Sequence, residues 1–207
     1  MTAQISDIVT YKAKKYSLIG FTNQLSFHPS DFEIIIGQVA SCCWKGFLQN
    51  FLISDKKLVL DRIDIEIQEN TLKPRIYGKR HKLRLRFPYM FFNMYPFIFR
   101  IPQIFNTTYS NIGYHFKYTG SILIGSDFMQ EFYVHMGFAP AWKYEIVHEL
   151  TFVNGVLANS IDLSEKMKEA REIIEKHEGK RIAYREDSNY TSWIEETFNQ
   201  KYGQEMM

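Results

Sequence analysis

A chain of 207 residues that is 45% hydrophobic and 23% charged carries enough apolar side chains for one sizeable core, and six prolines are too few for wholesale disorder. No apolar run reaches the roughly 18 residues that a spanning helix needs. The N-terminus, where Lys12, Lys14 and Lys15 follow no apolar core, lacks the order of a secretory signal, so a soluble, cytoplasmic protein is expected. Cys42 and Cys43 are the only cysteines, and neighbours on a strand point to opposite faces, which excludes a disulfide framework.

The formal charge of +2 implies no partner, but its distribution is uneven. Between Glu69 and Asp127 there is no acidic residue, while Lys73, Arg75, Lys79, Arg80, Lys82, Arg84, Arg86, Arg100 and Lys117 are basic; residues 145–207 hold 13 acids against 8 bases. A basic centre beside an acidic tail steers a charged partner or lets one part of the protein complement another.

Taken in chain order, Tyr16 to Leu25 predicts a first strand that ends at Phe27-His28-Pro29-Ser30. Residues 31–39 are ambiguous, because Ser30 and Glu33 have capping-box spacing while Ile34, Ile35 and Ile36 are β-branched. From Val39 to Ile67 the pattern is a hairpin with Trp44 at the centre of its first strand and a turn at Ser54-Asp55-Lys56-Lys57. In its second strand Ile63, Ile65 and Ile67 alternate with Asp64, Glu66 and Gln68, which predicts one buried and one wet face. His81 to Phe87 alternates again, setting Lys82, Arg84 and Arg86 on one face. Pro88, Pro96 and Pro102 break the aromatic stretch that follows, so residues 71–105 read as an irregular basic, aromatic segment.

Tyr114 to Ile124 and Phe128 to Met136 predict two strands around a Gly125-Ser126-Asp127 turn. The clearest hairpin is Trp142 to Val153 with Val156 to Leu163, joined by Asn154-Gly155, a pair suited to a type I′ turn. Asp162 with Glu165 starts a helix over 164–178, whose stripe is Met167, Ala170, Ile173 and Ile174. Ser192 with Glu195 starts a second helix. The expectation is one α+β domain over 1–207. Residues 1–163 form an antiparallel β-sheet or open barrel, and the helical part, 164–207, packs two C-terminal helices on it.

The sequence holds no glycine-rich phosphate loop, no G-x-S-x-G, no H-E-x-x-H and no paired cysteine spacing for zinc, which lowers the case for an enzyme; no cofactor or metal is expected. If Phe128 to Met136 is a strand, Glu131, Tyr133 and His135 share a face and form a row able to bind a small molecule or move a proton; a solvated polar network is the plainer reading. Trp44 is a candidate wall for such a pocket. His148 suits a hydrogen-bonded core position, and both cysteines suit structural roles. Lys82, Arg84, Arg86 and Arg100, with Tyr77, Tyr89 and Phe91 nearby, offer a basic, aromatic face. Its expected partner is an acidic protein surface, with nucleic acid or an anionic membrane as the alternatives. A solvated strand edge is the plainer account here too.

Cys43-Trp44-Lys45-Gly46-Phe47, then Tyr118-Thr119-Gly120-Ser121-Ile122 leading to Tyr133-Val134-His135-Met136-Gly137-Phe138, and then Phe152-Val153-Asn154-Gly155-Val156-Leu157, resemble segments of a group of small bacterial proteins whose pattern is W-R-G-Y, then Y-V-H-M-G-Y. The likeness covers about half the chain. It departs from the group in Lys45 for arginine and in Phe47 and Phe138 for tyrosine, and the basic segment 71–105 has no counterpart. The group has no established activity, so the resemblance implies a fold and leaves function to the residues. Small domains of this kind often serve as binding modules, an argument by analogy alone.

Overall fold

The computed structural model describes residues 2–23, 25, 27–71, 73–83, 104–178 and 200. Among these residues ten strands make one sheet: β1 (Ile8–Tyr11), β2 (Lys14–Phe21), β3 (Phe47–Ser54), β4 (Lys57–Ile65), β5 (Lys82–Leu83), β6 (Thr107–Tyr109), β7 (Tyr114–His115), β8 (Gly120–Phe128), β9 (Tyr144–Val153) and β10 (Val156–Asp162). Their spatial order is β10-β9-β8-β2-β1-β3-β4-β6-β5, with β7 attached to β4. β1 and β3 run parallel, with Val9 opposite Phe51, and the other strand pairs are antiparallel. A last pair, Val156 opposite Lys57, returns β10 to β4. The strands are thus ringed through a single residue pair, which is not a closed barrel.

Three two-residue turns set the hairpins. Lys12-Ala13, Asp55-Lys56 and Asn154-Gly155 all hold both central residues at positive φ, the geometry whose twist matches that of the strands they join. Asn-Gly announces such a turn; Lys-Ala does not, which is why β1 was absent from the sequence expectation.

The core lies inside the ring. Val9, Leu18, Phe51, Ile63, Ile65, Ile122, Ile124, Leu150 and Phe152 are buried there, and burial of each such side chain stabilises by about 2 kcal/mol. Leu60 and Ile63 both face inward although their spacing is odd. The register shift opposite Asn50 and Phe51 leaves Asp61 as an extra residue, and this bulge resets the alternation of β4. A smaller core, Ile19, Tyr144, Val147 and Leu163 with Met167 against it, lies under the helix α1 (Ser164–Glu178). Arg171 fixes the helix further by donating from Nη1 to the carbonyls of Trp142 and Tyr144, both at 2.9 Å.

The α+β, sheet-dominated class agrees with the sequence, and several finer expectations are corrected. α1 is the one α-helix among the described residues; the helix expected from Ser192 lies outside them. Trp44 belongs to the turn that precedes β3 and not to a strand. β8 runs through Gly125-Ser126-Asp127: although Asp127 takes a left-handed φ of 59°, the pairing with β9 keeps one register on either side of it, at Ser126–Ile146 and Phe128–Tyr144. Phe128 to Met136 is not a strand: Gln130–Phe132 is a 3-10 turn and Tyr133 to Met136 is irregular. Residues 31–39 resolve into the end of a 3-10 turn, Pro29–Phe32, followed by irregular chain that touches β4's extension through Ile36 opposite Ile67.

The outer face of β4 is not wet. Asp64 is 5% exposed, and its carboxylate accepts bonds from Arg62 Nε (2.9 Å), Arg62 Nη2 (2.8 Å) and Thr108 Oγ1 (2.6 Å). Glu66, equally buried, accepts from the backbone N–H and the side-chain amide of Asn106. β6 supplies Thr108, and the residue preceding it supplies Asn106, so the partners come from distant sequence.

Candidate functional site

Two places in the fold gather chemistry-bearing residues. The first is the hairpin over residues 73–82. Its turn, Tyr77-Gly78, has positive φ at both positions and is closed by reciprocal backbone bonds between Ile76 and Lys79. Three anchors hold it on the sheet: Ile76 is fully buried, the Tyr109 hydroxyl donates to the Pro74 carbonyl at 2.8 Å, and His81 packs edge-on against Tyr109. With these inward, Arg75, Lys79, Arg80 and Lys82 are left exposed. Among the described residues no ion pair engages any of the four. Lys82 therefore stands where the sequence placed it, on a strand and in water. Arg84, Arg86 and Arg100, with Tyr89 and Phe91, lie outside the described residues.

An aromatic stack stands beside these cations. Tyr77 lies face to face with Tyr114 of β7, ring centroids 3.8 Å apart and planes 12° apart, and meets Phe32 edge-on. Tyr114 is braced in turn by Phe116, whose ring stands perpendicular to it with centroids 5.1 Å apart, and remains 36% exposed. Burial, and next the neighbouring Tyr114, push the Tyr77 phenol up to about 12, so its ring stays neutral at physiological pH.

The second place is a cleft of about 220 Å³ beside the loop that joins β8 to β9, lined by Tyr133, Val134 and Phe138 of that loop with Phe128, Lys143 and Tyr144. The linking loop is pinned by Met129 N–H to the Lys143 carbonyl at 3.0 Å and by Phe132 packed edge-on to Trp142. The predicted row is only partly assembled. The Tyr133 hydroxyl lies 2.8 Å from His135 Nδ1, both in water, but Glu131 is exposed in the 3-10 turn without a bond to either. Of the three, Tyr133 alone lines the cleft, and Trp44, 50% exposed on its turn, is not one of its walls.

Gln4, which the sequence reading passed over, ties the motif segments together. Its backbone N–H donates to the Gly137 carbonyl at 2.7 Å, its amide donates to the Ser41 carbonyl, and its side-chain oxygen accepts the Trp44 N–H at 3.1 Å. The Trp44 turn, held by the side chain of Gln4, and the Tyr133 to Phe138 segment, held by its backbone, thus meet at one residue, and no spacing rule could have found it.

Other singled-out residues are structural. His148 sits half-buried between the edges of Tyr11 and Tyr16, its Nδ1 3.9 Å from Asp162. Both cysteines are free, and burial pushes the Cys43 thiol up, away from the reactive thiolate. Among the described residues no three His, Cys, Asp or Glu side chains converge as a metal site, and no helix is long and apolar enough to cross a membrane. The chain matches no protein-family profile, no curated protein and no solved structure.

Proposed function

We propose that this chain is a cytoplasmic binding protein that docks an acidic macromolecular partner through the 73–82 hairpin. One observation carries the reading: Arg75, Lys79, Arg80 and Lys82 are exposed, and engaged by no ion pair among the described residues, on a hairpin whose inward residues anchor it to the sheet. Unpaired cations held in place raise the local concentration of an anionic surface and cost no carboxylate partner on docking. The kinship suggested by the Trp44 to Phe47 and Tyr133 to Phe138 segments belongs to the same proposal. Anisotropy of labelled poly-L-glutamate tests it. The wild-type chain binds at low salt and releases the polymer at high salt, because exposed pairs are screened beyond about 10 Å at 0.1 M salt; the variant with Arg75, Lys79, Arg80 and Lys82 all changed to Glu does not bind. Equal binding by that variant refutes the reading.

The second reading is small-molecule binding in the cleft under Tyr133. Tyr133, which lines a largely apolar cavity and pairs with His135, favours it. Fragment titration followed at Phe128 and Tyr144 tests it, with loss on Val134→Arg expected; an unresponsive cleft removes it.

A further inference from the structure

We infer that the acidic partner of the 73–82 hairpin is a single-stranded nucleic acid, its phosphates held by Arg75, Lys79, Arg80 and Lys82 and one of its bases laid on the ring of Tyr114. The inference rests on the docking reading above and narrows it to one class of partner.

The argument begins with what the hairpin offers besides charge. A carboxylate-rich protein surface needs cations and nothing more, whereas a nucleic-acid strand alternates phosphates with flat aromatic bases. The hairpin presents both kinds of complement within a few residues. Tyr77 occupies its turn, between Arg75 and Lys79, and stacks on Tyr114, which keeps exposed surface. Phe116, perpendicular to Tyr114, and Tyr77, stacked on it, fix the ring's plane, so a base that settles there orders no loose side chain. Tyr77 stays a neutral phenol, so the stack brings no phenolate charge toward phosphates. Asp31 is the carboxylate felt at Tyr77 and the weakest of the influences on it. Stacking on tyrosine with a basic flank is how single strands are held without sequence readout. A duplex keeps its base faces covered by their neighbours, so the exposed ring has nothing to gain from it.

Anisotropy of a labelled oligothymidylate provides the test, with poly-L-glutamate of similar charge alongside and wild type compared with Tyr114→Leu and Tyr114→Phe. Four phosphate contacts at about 0.7 counterions each predict that raising salt from about 50 to about 200 mM weakens the oligonucleotide about fiftyfold. Tyr114→Leu weakens it a further tenfold or so, while Tyr114→Phe, which keeps the ring, binds like wild type. Poly-L-glutamate binding is unchanged in both variants. If Tyr114→Leu binds the oligonucleotide as wild type does, or if the oligonucleotide binds no tighter than poly-L-glutamate, the nucleic-acid assignment is overturned and docking of an acidic partner stands. If neither polymer binds the wild type at low salt, both readings fall.

Discussion

Lys45 Nζ lies 2.6 Å from both carboxylate oxygens of Asp7, 38 residues earlier in the chain. The Asp7 side chain is 6% exposed and that of Lys45 31%, and Asp7 Oδ1 also accepts the Gln49 N–H at 2.7 Å. One carboxylate therefore joins the N-terminal segment, the Trp44 turn and the start of β3. Asp7→Ala leaves a partly buried ammonium and an orphaned backbone donor, with an expected cost of about 2–4 kcal/mol in urea unfolding. Lys45→Met, which keeps the packing over Phe47, is expected to cost less; the reverse order contradicts this account.

Two glycines with nearly the same φ separate conformational strain from steric clash. Gly155 (φ 81°) would place a Cβ 1.9 Å from the Phe116 carbonyl oxygen, whereas Gly78 (φ 78°) has nothing within 4 Å. Gly78→Ala is expected to cost about 1 kcal/mol and Gly155→Ala about 3 kcal/mol or more, read as shifts in unfolding midpoint. Similar losses at the two sites would mean that the β9–β10 turn does not rest on the Phe116 backbone.

Asp162 holds the start of α1. Its Oδ1 accepts the Ser164 N–H at 2.9 Å, two residues on rather than the three of a capping box, and also the Ser164 hydroxyl. These bonds, the side-chain one first, hold its carboxyl below the ordinary value near 3.8, and His148 adds a smaller effect in the same direction. Because the folded value is the lower one, the stabilisation is present above about 3.8 and is lost as pH falls through the folded value. Asp162→Ala is expected to cost about 1 kcal/mol at neutral pH and much less in strong acid. A cost independent of pH argues against the cap.

The Tyr77 phenol gives the opposite limb. Its folded value near 12 exceeds the ordinary 10.0, so the stabilisation is intact below pH 10 and fades as pH rises toward 12. Burial lifts Tyr109 to about 12 as well. Absorbance titration is expected to show a late phenolate step, and Tyr114→Leu moves part of it to lower pH by removing the second cause of the Tyr77 shift. An unchanged titration in that variant would show that the two rings do not meet.

Local chemistry was legible in the sequence where it was strong: Asn154-Gly155, the turn at Asp55-Lys56, the paired strands around each and the helix after Leu163 all stand in the structure. Alternation misled where the tertiary environment decided the outcome. Glu131 to Met136 alternates as well as many strands do, yet Tyr133 and Val134 are each 52% exposed, so neither face gains the burial that would hold a strand. Asp64 and Glu66 read as solvent-facing because no local rule shows that Thr108 and Asn106, more than 38 residues on, return to bond them. For the site, the cations and Tyr77 could be seen in the sequence. The stack with Tyr114 could not, since β7 reaches the hairpin only by pairing with β4.

The most direct measurement is an amide NMR map of the labelled chain titrated with a short oligothymidylate or with oligoglutamate. The account predicts shifts concentrated at Arg75 to Lys82, spreading to Tyr114 with the oligonucleotide, and a quiet Tyr133 to Phe138 segment. A silent hairpin with the shifts gathered around Tyr133 and Phe128 would contradict it.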